Sequence, residues 1–137
     1  MKLIILLPFA ILLAACVGNT TPLSTASSLV PLSKWRTGDF RLAGENTGLL
    51  VITRDSGLRG SSCIPMIVVD RTQIAPLNIG ERLELHVTAG PHLIGALPNT
   101  NCAANAVESQ ITIEQAQVNS FRFGFIDRSM VFTVVSH

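Results

Sequence analysis

The side chains with the widest chemical range in this sequence are its three cysteines and three histidines. They are Cys16, Cys63 and Cys102, and His86, His92 and His137. A thiolate beside a histidine could attack a carbonyl carbon, as in thiol hydrolases, and closely spaced histidines could hold a metal ion. No cysteine stands in a recognisable catalytic signature, and the histidines are not spaced two or four residues apart. The sequence therefore predicts no metal, no cofactor and no catalytic residue.

The carboxylates suggest no acid–base pair either. Glu81 and Glu84 flank one predicted strand. Aspartates near strand ends ordinarily form turns, and four of them have that position: Asp39, Asp55, Asp70 and Asp127. We therefore predict that the chain is not an enzyme.

Charge and aromatic content narrow the range of partners. The formal net charge is +1, and no run of like charges occurs. A basic patch for nucleic acid is therefore not expected. Tyrosine is absent and tryptophan occurs once, so no aromatic platform for sugars is visible.

The chain begins Met1-Lys2, and an apolar run of 11 residues follows from Leu3 to Leu13. As a helix this run would be about 16 Å long, too short for a bilayer core of about 30 Å. A charged start, a short apolar run and small residues at its end are typical of a secretory signal. The alternative, a buried core helix, is disfavoured because the run has no polar face and no cap.

The end of this run, Leu13-Ala14-Ala15-Cys16, resembles the lipobox of bacterial lipoproteins. The resemblance implies cleavage before Cys16 and a lipid on its sulfur, so that the membrane is a partner. A thiolate is the nucleophile that alkylation needs, and several acyl chains anchor a protein firmly. In Gram-negative cells, an aspartate directly after the cysteine favours retention of a lipoprotein in the inner membrane. Val17 at that position implies the outer membrane, facing the periplasm, if the cell is Gram-negative.

With Cys16 assigned to the lipid, Cys63 and Cys102 remain. An even number of cysteines in an exported protein predicts a disulfide. Closing a loop of about 40 residues would contribute roughly 4 kcal/mol, which is large beside the stability of about 5–15 kcal/mol typical of a domain.

The elements that must position these residues are strands. Patterns of period two recur between turn signals, and no helical stripe of ten residues is present. The predicted strands are Gly48–Arg54, Cys63–Asp70, Arg82–Thr88, His92–Leu97, Ser109–Glu114, Asn119–Ile126 and Met130–Ser136. We expect Pro65 to mark an edge or a bulge, His92–Leu97 to pair antiparallel with Arg82–Thr88, and Met130–Ser136 to be central. The fold class predicted is all-β, an antiparallel β-sandwich of about seven strands.

Three regions are predicted along the chain. Residues 1–15 form the signal peptide, and residues 16–33 form the lipidated N-terminus and a flexible tether rich in Ser and Thr. Residues 34–137 form the β-sandwich domain.

Strand ends and hairpins with glycine turns are predicted in three neighbouring segments, Val68–Asp70, Ile74–Gly80 and Leu85–Ile94. Together they resemble the PEGA-like domains and related small lipoproteins of unknown function, although Arg71 stands where the family usually has glycine. The resemblance implies a β-sandwich with surface or scaffold duties and no catalysis. It brings no ligand residues with it.

We therefore predict a non-enzymatic, membrane-anchored envelope lipoprotein that serves as an accessory or binding module. We also expect it to have a protein partner in the envelope. Two alternatives remain open at this point: a small enzyme or enzyme inhibitor of the cell wall, and a structural subunit of a secretion or conjugation assembly.

Overall fold

The structure, a computed structural model, describes residues 27–56 and 60–136 of the chain. Nine strands and one short 3₁₀ turn, Leu32–Lys34, are found in those residues. The strands are β1 Ser28–Leu29, β2 Thr47–Arg54, β3 Met66–Val69, β4 Thr72–Pro76, β5 Glu81–Thr88, β6 Gly90–Leu97, β7 Val107–Ile113, β8 Val118–Ile126 and β9 Ser129–Val134.

These strands form two sheets packed together, so the predicted β-sandwich is confirmed. One sheet has the order β1-β5-β2-β8-β9, and the other has the order β4-β3-β6-β7. Two pairs in the larger sheet, β1 with β5 and β2 with β8, are parallel, and all other pairs are antiparallel. The described residues contain nine strands rather than about seven. The sequence does not predict strands β1 and β4, because both are short and carry weak period-two patterns.

The core lies between the sheets and follows from the alternation of side chains along each strand. On β5, Leu83, Leu85 and Val87 are fully buried, as the sequence predicts. Burying one such side chain stabilises a fold by roughly 1.5–3 kcal/mol. The largest fully buried side chains are Phe123, Leu50, Ile52, Ile67, Ile74, Leu77, Leu83, Leu85, Ile94, Ile113, Val69 and Val87.

The predicted pairing of β6 with β5 is wrong. Strand β5 belongs to the five-stranded sheet, whereas β6 pairs with β3 and β7 in the other sheet. Gly90, the first residue of β6, has a φ of 118°, a conformation that glycine adopts without a steric penalty. This residue therefore turns the chain from one sheet to the other instead of closing a hairpin.

Two positional predictions also need correction. Strand β9 ends the five-stranded sheet and is not central, and Val134 on it is 67% exposed. Pro65 is expected at an edge or a bulge, and because it precedes β3, which lies between β4 and β6, the edge is wrong. A shift of register of the kind that a bulge produces does occur nearby, between Ile67 and Val68.

The predicted boundary between tether and domain at Lys34 comes too late. Ser28 and Leu29 pair with the start of β5, and Val30 is 5% exposed within the core. The backbone N–H of Val30 donates to the carbonyl of Arg82 at 3.0 Å. The folded domain therefore includes residues from Ser28 onward, because this short edge strand completes the sheet beside β5.

Candidate functional site

Of the cysteines, Cys63 and Cys102 lie within the described residues and form a disulfide, as the sequence predicts. The backbone N–H of Cys63 donates to the carbonyl of Gly60 and closes one turn. The backbone N–H of Cys102 donates to the carbonyl of Asn99 and closes a second turn. The bond joins the loop before β3 to the loop after β6. A cysteine in a disulfide has no thiolate, so neither residue can act as a nucleophile while the bond exists. Cys16 and His137 lie outside the described residues.

The structure brings Asp70 and His92 together, although they are 22 residues apart. The His92 Nδ1 atom lies 2.6 Å from Asp70 Oδ2, and its Nε2 atom lies 2.7 Å from the carbonyl oxygen of Thr88. The other Asp70 oxygen accepts the N–H of Leu93 at 3.0 Å. Both ring nitrogens are thus engaged by the chain itself, which leaves no free nitrogen directed at a substrate.

The role of Asp70 is to fasten the β3–β4 turn onto β6. Asp70 and Arg71 have φ values of 46° and 68°, the left-handed conformation of a tight hairpin turn. Partial burial raises the pKa of Asp70, but the hydrogen bonds from Leu93 and His92 lower it by more. The pKa of Asp70 therefore lies below its ordinary value, and its charged form stabilises the turn.

Acid should destabilise the protein through Asp70. Because this pKa is lower in the folded chain than in the unfolded chain, the stabilisation is complete above the unfolded value of about 4 and is lost as pH falls through the folded value. Asp70→Asn should lower the melting temperature by a few degrees at pH 7. The melting temperatures of the two proteins, followed by circular dichroism, should converge as the pH falls below the folded-state pKa of Asp70.

The control for this experiment is Glu108→Gln, which removes an exposed carboxylate from β7. Its melting temperature should stay near that of the wild type. A constant difference between Asp70→Asn and the wild type from pH 7 to pH 2 would contradict the role given to the Asp70 charge.

His86 lies elsewhere, on a second part of the surface where the chain enters β1. It lines a cleft of about 420 Å³ whose other walls include Leu29, Leu32, Trp35 and Arg41. The guanidinium of Arg41 lies 5.4 Å from the centre of the Trp35 ring, a cation–π contact. The buried Trp35 Nε1 has no hydrogen-bond partner among the described residues.

This cleft is built by a loop held against the outer edge of β5. The N–H of His86 donates to the carbonyl of Phe40 at 2.8 Å, and the N–H of Arg36 donates to the carbonyl of Ile74 at 2.7 Å. The Lys34 Nζ atom lies 3.1 Å from the Glu81 carboxylate, which also accepts the N–H of Asn78 at 2.9 Å. The side chains on the loop are therefore presented from a fixed backbone.

Two further clefts lie on other sides of the sandwich. One, of about 390 Å³, separates β7 from β8 and the end of β9, and it is lined by residues that include Ile111, Val118 and Phe121. The other, of about 320 Å³, lies across β3, β6 and β7 beside Val68 and Leu97. Neither of these two clefts is lined by Asp70 or His92.

The described part of the chain gathers no group of three or more His, Cys, Asp or Glu side chains that could hold a metal ion. Within residues 27–56 and 60–136, no helix is long and apolar enough to span a membrane.

Comparison with protein-family models, with curated proteins and with solved structures finds no match to this chain. The resemblances to lipoproteins and to PEGA-like domains therefore stay predictions.

The number of cysteines predicts the disulfide, but the sequence pattern does not indicate the cleft at β1. The predicted tether, residues 16–33, includes Leu29 and Leu32. Trp35 packs against the core. The signal that was available is the grouping of Lys34, Trp35, Arg36 and Arg41 within eight residues of one another.

Proposed function

We propose that this chain is a lipid-anchored protein of the bacterial envelope whose β-sandwich is a non-catalytic binding module. The observation that carries the proposal is the placement of Leu13–Cys16, a lipobox-like motif, shortly before a disulfide-linked sandwich that begins at Ser28. Disulfides form and persist in oxidising compartments such as the periplasm. In a Gram-negative cell the location we propose is the outer membrane, facing the periplasm.

The sandwich offers means of binding that need no catalytic group. Strand β7 ends the four-stranded sheet and has seven residues, so it is an edge to which an extended segment of an envelope partner can add as a further strand. Such binding depends on backbone hydrogen bonds and on shape. It therefore does not depend on any single polar side chain.

A small cell-wall enzyme is the other candidate, and the Asp70–His92 pair is the observation that favours it. The geometry gives this candidate less support, because the Thr88 carbonyl occupies the nitrogen that a general base would use. Asp70 is also explained by the turn that it holds.

The anchor is tested by labelling cells with a fatty acid that carries an alkyne. The wild-type protein should take up the label, and Cys16→Ser should take up none, because the sulfur that carries the lipid is gone. The neighbouring change Val17→Ala should keep the label. Equal labelling of wild type and Cys16→Ser, or release of the wild type in soluble form, would refute the anchor.

The binding module is tested on whatever partner co-purifies with the anchored protein from membranes. His86→Ala, His92→Ala and Asp70→Ala should each keep binding within a few-fold, provided that circular dichroism shows a folded protein. Removal of a general base from an enzyme commonly costs about 10²–10⁴ in rate. Complete loss of an activity from one of these changes in a folded protein would favour the enzyme.

A further inference from the structure

Three leucines are exposed in the segment by which the chain enters the sandwich. Leu29 is 50% exposed, Leu32 is 61% exposed and Leu42 is 86% exposed. Leu29 and Leu32 line the cleft beside Trp35 and Arg41, and Leu42 follows Arg41 directly. Together with Arg36, these residues form what we call the N-terminal face: Leu29, Leu32, Trp35, Arg36, Arg41 and Leu42.

The same face carries a small excess of positive charge. Residues 27–44 contain Lys34, Arg36 and Arg41 against Asp39, while Glu81 pairs with Lys34 and the cleft is also lined by Arg82 and Glu84. Four cations therefore stand against three carboxylates, a net charge of +1. Lys34 is paired with Glu81, but Arg36 is exposed. Arg41 is held over Trp35 and lies 3.5 Å from the Leu32 carbonyl. Arg41 therefore lies beside the leucines of the cleft, and Arg36 directly follows Trp35 in the chain.

Exposed leucines, one tryptophan and arginines are the residues that suit the boundary between lipid headgroups and acyl chains. The apolar side chains enter the boundary region, and the arginines extend to the phosphates with their charge in water. Each Lys or Arg near an anionic bilayer contributes about 1 kcal/mol to binding. A protein partner of the face would need an acidic and apolar surface, and nothing in this chain points to one.

The proposed anchor places a bilayer within reach of this face. From Cys16 to Ser27 the chain has 11 peptide links, which span at most about 40 Å when fully extended. A domain of about 100 residues has a radius of gyration of about 13 Å. The domain thus stays close to the membrane, and the face beside β1 is where the chain from the anchor joins it.

We propose that the N-terminal face docks on an anionic phospholipid surface, with the exposed leucines at the headgroup boundary, the half-buried Trp35 behind them, and Arg36 and Arg41 on phosphates. The proposal rests on the proposed anchor, because the anchor supplies the nearby bilayer. Docking would fix the orientation of the sandwich relative to the membrane.

The single tryptophan of the chain, Trp35, is a built-in reporter of docking. The lipid-anchored protein is reconstituted in vesicles of phosphatidylglycerol or of phosphatidylcholine, each with brominated acyl chains that quench tryptophan. We expect quenching of Trp35 fluorescence in phosphatidylglycerol, weaker quenching in phosphatidylcholine, and a decrease with added salt. Equal quenching in both lipids, or none in either, would overturn the proposal.

Two matched variants separate docking from mere proximity. Leu42→Asp should abolish most of the quenching in phosphatidylglycerol, whereas Ile126→Asp, at another exposed apolar position of 63% exposure, should leave it unchanged. Arg36→Gln should weaken vesicle binding about fivefold, as expected for the loss of one charge at the surface. Quenching as strong in Leu42→Asp as in the wild type would overturn the proposal. Shielding of Trp35 in native membranes but not in vesicles would also overturn it, because it would indicate that a protein covers the face.

A last arm distinguishes failure of the face from failure of the anchor. Residues 17–137 contain every contact described above. This form of the protein carries no lipid anchor, and its binding to phosphatidylglycerol vesicles is measured by the same quenching. Quenching of this form that Leu42→Asp removes supports the face even if fatty-acid labelling of Cys16 fails. Positive labelling without such quenching leaves the anchor standing and overturns the face.

Discussion

Replacing Cys63 and Cys102 together by serine should lower the free energy of unfolding by about 4 kcal/mol, because the unfolded chain regains the freedom of a loop whose ends are 39 residues apart. The whole free energy of unfolding of a typical domain is only about 5–15 kcal/mol. The loss should appear in urea unfolding as a large fall in the denaturation midpoint. Adding a reductant to the unfolded wild type should produce the same curve.

The matched control is Ala103→Ser, which adds a hydroxyl group to the same loop at an exposed position. Its midpoint should be that of the wild type within error. Mass spectrometry of protein from the envelope, without reduction, should show the peptides of Cys63 and Cys102 joined. Two free thiols in that protein, or a double variant as stable as the wild type, would contradict the prediction.

The strands of the core could be predicted because their pattern is local. On β8, Phe121 and Phe123 occupy alternate positions and are buried, as the alternation indicates. On β7, Ile111 and Ile113 are buried for the same reason. An apolar pattern of period two shows which face of a strand is buried. For every strand with a clear alternation, the predicted ends lie within a few residues of the ends in the structure.

The arrangement of strands into sheets could not be predicted in the same way, since pairing depends on distant partners. Leu50 on β2 pairs in parallel with Asn119 on β8, which is far along the chain. Gly90 marks a turn in the sequence, but nothing nearby says that the next strand joins the other sheet. The apolar character of β9 suggested a central strand, although the chain places it at an edge.

The candidate site was predictable only in part, for the same reason. The number of cysteines indicated the Cys63–Cys102 disulfide without any knowledge of the fold. Asp70 and His92 meet only because β3 and β6 are neighbours in the sheet. The N-terminal face depends on β1, a strand of two residues whose sequence reads as a tether. The sequence pattern also indicates no role for Arg54, a charged residue at the end of an amphipathic strand.

Arg54 occupies an inward position at the end of β2 and is 3% exposed. Its guanidinium donates to the carbonyls of Leu77 and Gly60, both at 2.8 Å, and lies 5.6 Å from the centre of the Phe125 ring. Burial lowers the pKa of Arg54, and the charge of Glu81 opposes that effect. One side chain therefore joins β2, the end of β4 and the turn that leads to the disulfide.

The space around this contact is closely filled. A Cβ atom at Gly60 would lie 2.5 Å from the Phe125 ring, and Gly60 has a φ of 67°. A side chain at Gly60 is therefore disfavoured both by the ring and by the backbone conformation.

Arg54→Ala should lower the free energy of unfolding by about 3–5 kcal/mol, since two hydrogen bonds from a charged donor are lost and the buried carbonyls are left without partners. Arg54→Lys, which keeps the charge but loses the fork of donors, should have a smaller effect. Both are measured by urea unfolding of the purified protein.

Arg122 is the matched control, because it pairs with Thr53, the residue before Arg54, but its side chain is 48% exposed. It forms an ion pair with Asp55 at the surface, and such pairs contribute about 0–1 kcal/mol. Arg122→Ala should therefore cost under about 1 kcal/mol. If both alanine variants lose the same stability, burial does not distinguish the two arginines, and the structural role inferred for Arg54 is wrong.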